Sequence, residues 1–175
     1  MAERLRPPAL APQLKRDPLG SAHVFRFDDR PMLALFATVC AGLFSGAAIY
    51  VNLVEHPARL SCGTELAVKE FGPSYRRGTV MQASLALAGC ALGVAAWARS
   101  GDRAVLIAGV LLGAVVPFTL VVILPTNKRL LDPGLDTRSA LAAELMARWG
   151  WLHAVRSVLS LVAFVLLLTR LAGRV

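Results

Sequence analysis

Charge is what this chain has least of: Asp, Glu, Lys and Arg make up 17% of its 175 residues, against 56% hydrophobic residues. A soluble domain carries about a quarter charged residues, so the composition excludes an ordinary soluble fold. Cysteine is scarce as well. Cys40, Cys62 and Cys90 form no C-x-x-C pair and have no histidine at zinc-finger spacing, which excludes a thiol redox motif and a structural zinc site. Cys40 and Cys90 fall inside apolar runs and read as small packing residues, while Cys62 falls in a loop. Residues 1–30 lack the apolar stretch of roughly 7 to 15 residues that a cleavable signal peptide needs. They hold four prolines and six basic residues instead, and read as a disordered basic tail. The net charge of +8 is spread over this tail, the loops and the helix ends, not gathered on one basic face. That distribution predicts a lipid bilayer as partner and no nucleic acid.

What the chain has in abundance is long charge-free stretches. Residues 31–54 and 78–98 are uncharged runs of 24 and 21 residues, 104–126 is a third run, and 149–169 is a fourth broken only by His153 and Arg156. Each meets the ~20 residues a helix needs to cross the hydrocarbon core. The fold class is therefore all-α: residues 31–175 form an up-and-down bundle of four transmembrane helices behind the tail. Between the spans, residues 57–77 read as a loop with a short amphipathic helix at about 64–71, ended by Gly72-Pro73. Pro117 is expected to kink or break the third span. Asp136 is a candidate N-cap for a helix that continues into the fourth span. Ten basic residues fall on the face of the termini and eight on the other, so both termini are placed in the cytoplasm. An Ala-, Arg- and Leu-rich composition suits a high-GC bacterium, and with it an inner-membrane location. No inverted repeat or paired broken helices are visible, which argues against a transporter, and homo-oligomerisation stays open.

Alternation of the spans brings the end of the first, the start of the second, the end of the third and the start of the fourth to one face. The unusual polar residues all lie there: Tyr50, Asn52, Glu55 and His56, then Gln82, then Thr126 and Asn127, then Trp149, His153 and Arg156. The opposite halves carry almost nothing polar. Trp149, His153 and Arg156 share one helical face at i, i+4 and i+7. A buried arginine at that depth needs a partner, and Glu55 is the expected one. Three readings remain open for the cluster. It is a structural network in a non-catalytic binding or partner subunit, a general base with anion-stabilising groups, or a two-histidine, one-carboxylate metal site.

Three blocks add a resemblance. Tyr50-Val51-Asn52-Leu53-Val54-Glu55-His56-Pro57, Pro125-Thr126-Asn127-Lys128-Arg129-Leu130, and Arg148-Trp149-x-x-Leu152-His153-x-x-Arg156 resemble the anthrone oxygenase-like family of small four-helix membrane proteins, over about residues 33–170. The resemblance implies oxygenation of a hydrophobic aromatic or quinone-type small molecule without a cofactor or metal. For that chemistry the site offers His153 or His56 as base and Arg156 and Asn127 as oxyanion partners, with Glu55 as a further catalytic candidate, and Trp149, Asn52, Gln82 and Tyr50 as candidate substrate contacts.

Overall fold

The structure, a computed structural model, describes residues 29–173; residues 1–28 of the basic tail, Arg174 and Val175 lie outside them, and the last two residues assigned to the tail, Asp29 and Arg30, already belong to the first helix. Four helices are long and apolar enough to cross a bilayer. Helix α1 is one rod made of an α-helical stretch Asp29–Tyr50, a π-helical turn Val51–Glu55 and a last stretch His56–Ser61. Helix α2 is Thr64–Ser100. Helix α3 joins Arg103–Phe118, a second π turn Thr119–Ile123, and Leu124–Leu130. Helix α4 is Ala140–Ala172, capped by Ser139, whose hydroxyl accepts from the Ala142 N–H. The cap thus falls three residues beyond Asp136, which turns the loop instead by accepting from the Arg138 N–H.

Each helix packs on two neighbours, α1 on α2 and α4, and α3 on the same two, so the bundle is square in section. Paired contacts fix the antiparallel sense. Arg59 meets Glu70 and Glu55 meets Ser74 along α1 and α2, and Asn52 meets Gly150 between α1 and α4. Across α2 and α3 the backbones touch at Gly93 and Gly109, where a Cβ on Gly93 would lie 2.9 Å from the Gly109 Cα. Close approach of this kind drives helix association in lipid, where burying leucine gains little. The interior is accordingly small-residue rich, with Ala37, Ala41, Ala48, Ala86, Ala108 and Ala163 all fully buried. Leu43, Leu87, Ile107, Val121 and Val158 face outward on all four helices. That inversion of the usual pattern fits a lipid surround.

Residues 57–77 are helical, not a loop. Helix α1 runs on to Ser61, only Cys62 and Gly63 separate it from α2, and α2 passes through Gly72-Pro73 without interruption. Tertiary packing explains the difference. Ala67, Val68 and Phe71 bury one face of this segment against Leu145, Met146 and Trp149, while Pro73 lies on the exposed side. Pro117 does not break α3 either; the irregularity comes after it, in the π turn. Both π turns have the same local cause. His56 and Leu124 close them by donating to the carbonyls five residues back, and a proline, Pro57 or Pro125, comes next with no N–H to continue the ladder.

Two apolar clusters fill the bundle. One packs Phe44, Leu112, Val115 and Leu167 with the interior alanines, and the other packs Phe71, Ile123, Leu130, Leu145, Met146 and Trp149. On α2 and α4 the buried polar residues fall between the parts of each helix that feed these clusters, and on α1 His56 and Arg59 follow both. The candidate site is this polar layer.

Candidate functional site

Asn52, delivered by the first π turn, joins the layer together. Its Nδ2 donates to the Gly150 carbonyl at 3.0 Å. Since a carbonyl only accepts, that bond fixes the amide, and Oδ1 is left to accept from Ser157 Oγ at 2.6 Å and from His153 Nδ1 at 2.8 Å. The proton of neutral His153 is therefore on Nδ1, and Nε2 keeps a lone pair. Among the described residues nothing hydrogen-bonds to that Nε2, and His153 lines a cavity of about 50 Å³. Its imidazole is 2% exposed, so this nitrogen is screened from bulk solvent by the bundle.

Arg156, one turn further along α4, is on the same cavity wall. Its expected partner was Glu55, but Nη2 donates to Gln82 Oε1 at 2.7 Å and the guanidinium carbon lies 5.5 Å from the centre of the Phe44 ring. Its Nε is buried with no hydrogen-bond partner. Glu55 is held elsewhere, accepting from Arg59 and, at 2.9 Å, from Ser74 Oγ. The reason is α1's continuation past Pro57, which sets Arg59 one turn after Glu55 and brings Ser74 of α2 opposite. Arg156 therefore keeps its charge without a carboxylate contact, an arrangement suited to a transient anion.

Asn127 is 1% exposed, lines the cavity, and leaves its Oδ1 unpartnered. Trp149 forms a wall: its ring centroid lies 4.8 Å from that of His153, 5.2 Å from His56 and 5.3 Å from Phe71, with the Arg59 guanidinium 5.8 Å away. His56 stands behind Trp149 and does not line the cavity. Its ring packs on Gly150, where a Cβ would lie only 2.5 Å from its Nε2, so glycine is what lets α1 and α4 meet at that level.

The structure thus brings His153, Arg156, Asn127, Gln82 and Trp149 to one cavity, with Asn52 supporting it. Tyr50, 55% exposed, and Glu55 instead line an outer groove between α1 and α2. The two-histidine, one-carboxylate set does not assemble; among the described residues no three His, Cys, Asp or Glu side chains come together. The cavity also includes Arg59, Phe71, Ser74, Tyr75 and Thr79, which the sequence pattern alone does not assign to the site. Four of these lie on the segment expected to be a loop or at its end. Arg59 carried a signal, since it continues the face of Asn52 and His56 at i+7.

Fold and site together define a four-helix membrane protein with a buried polar layer, in which an oriented histidine and a carboxylate-free arginine share one cavity. The family described as anthrone oxygenase matches residues 71–166, and the chain belongs to it. It is 34% identical over 143 residues to an anthrone oxygenase of Aspergillus terreus, covering 73% of this chain and 94% of the relative. It is 31% identical over 142 residues to one of Aspergillus fumigatus (74% and 87%), and 25% identical over 164 residues to one of a Cryptosporiopsis species (90% and 94%). These relatives are fungal, so they lend no support to the bacterial inner membrane expected from composition. No solved structure matches the chain.

Proposed function

We propose that the protein oxygenates a lipophilic anthrone-type phenol at the His153–Arg156 cavity, using the reactivity of the substrate anion in place of a cofactor. The observation that carries this reading is the free Nε2 of His153, held by the Asn52 hydrogen bond on a cavity that also presents Arg156 and Asn127. An anthrone has a methylene between two aryl rings and conjugated to a ketone. Transfer of one methylene proton to Nε2 leaves an anion whose charge lies largely on the ketone oxygen, where Arg156 and the Nδ2 of Asn127 are suited to hold it. The methylene carbon then bonds to O2, and the imidazolium returns its proton to the peroxide oxygen. Loss of water, breaking the remaining C–H bond and the O–O bond, leaves a carbonyl. One methylene and one O2 give one carbonyl and one water, and the substrate supplies all four electrons. Trp149 offers an apolar face to the reacting part of the ring system, with the Phe71 ring set edge-on to it at 83°.

Oxygen uptake and anthraquinone absorbance, followed with chelator-treated protein in detergent and corrected for spontaneous oxidation, test the proposal. Turnover above background should fall by about 10² to 10⁴-fold in His153→Ala, the usual contribution of a positioned base. Full activity in that variant would overturn it.

A non-catalytic reading also has an observation behind it, because Asn52 ties α1 to α4 through three hydrogen bonds. Under that reading the main effect of His153→Ala is a lower detergent melting temperature, and wild-type protein neither turns over an anthrone nor retains a small molecule.

A further inference from the structure

The inner cavity is too small for the substrate that the proposed function requires. At about 50 Å³ it holds little more than a water or O2, whereas ligand pockets usually run to roughly 300–1,000 Å³. A second hollow has the right size. It is a groove of about 720 Å³ on the outside of the bundle between α1 and α2. The two spaces adjoin, sharing Val51, Ser74, Gly78 and Gln82 as common walls.

Two glycines of the groove are unlike those of the bundle's interior. At Gly89, Gly93, Gly109, Gly113 and Gly150 an added Cβ would collide with a neighbouring helix, so packing accounts for them. At Gly46 and Gly78 a Cβ would meet nothing within 4 Å, although both lie inside helices, where glycine is less favourable than alanine. Packing therefore does not account for them. Both line the groove, Gly46 from α1 and Gly78 from α2, and leave it open. The lining is mixed: Ala47 and Met81 are apolar, Glu55 and Glu70 are carboxylates held by Arg59, and Arg77 has no carboxylate partner among the described residues. Farther in, Asn127 Oδ1 is buried and unpartnered on the inner cavity.

We propose that the α1–α2 groove is the binding site for the body of a flat, polycyclic phenolic lipophile, which reaches it sideways from the bilayer. Only the central ring, with its methylene and ketone, passes between Val51 and Gly78 to His153 and Arg156. Arg77 pairs with a phenolic oxygen at the outer end of the molecule. This assignment rests on the proposed function for the identity of the reacting ring, and on the groove alone for the place of binding.

The test is equilibrium binding of a hydroxyanthraquinone, which has the shape of the expected product, to full-length protein in lipid nanodiscs, together with anthrone turnover. Gly46→Leu and Gly78→Leu fill the groove where the structure has room for a side chain, so both should fold and melt no lower than wild type. Each is expected to weaken binding at least tenfold and to lower turnover in parallel. Val80→Trp, a substitution at an outward position 70% exposed and away from the groove, should change neither. His153→Ala should lose turnover and keep binding. If both leucine variants bind the anthraquinone as wild type does, or wild type does not bind it, the groove assignment is wrong. It is equally wrong if a tightly held phospholipid occupies the groove and anthraquinone does not displace it. Binding that the leucines abolish, in a wild-type protein that turns over no anthrone, would instead keep the groove and sink the oxygenase reading.

Discussion

The single side chain on which most of the site depends is Asn52. Its amide accepts from His153 and Ser157 and donates to the Gly150 carbonyl, so it sets both the tautomer and the tilt of the imidazole. Replacing it by leucine removes that control and leaves polar groups on α4 without partners in a buried layer. Asn52→Leu is expected to lower turnover by about 10- to 100-fold, by analogy with the loss of a partner that orients a metal-binding histidine. The same change should destabilise the protein by about 1–3 kcal/mol for each buried polar group left unpaired. Activity measured beside a detergent melt checks both, and a stable variant with unchanged turnover would show that His153 is oriented by other contacts. Arg156 illustrates the opposite case at this scale. Its hydrogen bond to neutral Gln82 leaves the guanidinium charge available, where an ion pair with Glu55 would have neutralised it.

At the scale of the helix, the two π turns determine which side chains reach the layer. Each adds a residue to one turn just before a proline, and each rotates the next stretch of its rod relative to a regular helix, so that His56 and Arg59 on α1 and Thr126 and Asn127 on α3 are buried. Pro125→Ala restores an N–H and removes the local reason for the wide turn of α3. Because proline inside a helix is about 3 kcal/mol less favourable than alanine, the variant should melt at or above the wild-type temperature. Turnover should nevertheless fall, by up to about 10²-fold, as Asn127 rotates out of place. A variant that is both stable and fully active would detach the π turn from function.

The whole molecule is taller than the membrane it is suited to. Helix α2 has 37 residues, about 55 Å at 1.5 Å per residue, against a hydrocarbon core of roughly 30 Å. Its first half carries Glu65, Lys69, Glu70, Arg76 and Arg77, and with Met146 and Trp149 of α4 it covers the polar layer from one end. Cys62 is exposed in the hairpin between α1 and α2, while Cys40 and Cys90 are half-buried in the bundle, so a membrane-impermeant maleimide reports which side this end faces. With both termini in the cytoplasm, Cys62 should label in intact cells and Cys40 and Cys90 should not. Labelling of Cys62 only after permeabilisation would reverse the orientation.

The number of spans, their antiparallel order and the gathering of polar residues at one level were legible in the sequence, because charge-free runs and their alternation are local properties of the chain. His153, Arg156, Asn127, Gln82 and Trp149 could be named for the same reason: each is polar or amphipathic where an apolar residue would be cheaper. What only the tertiary structure decided was which partner each polar group took and how far each helix continued. The i+4 pairing of Glu55 with Arg59 was legible, but Ser74 joined it and Arg156 was left without Glu55 because α1 and α2 remain helical where Pro57 and Gly72-Pro73 suggested a loop, and burial of Phe71 under Trp149 favours that continuation. Gly46 and Gly78 look no different in sequence from Gly93 and Gly109. Only the packed bundle shows that one pair meets backbone and the other meets open space, because a glycine's local signal is the same whether its missing Cβ makes room for a helix or for a ligand.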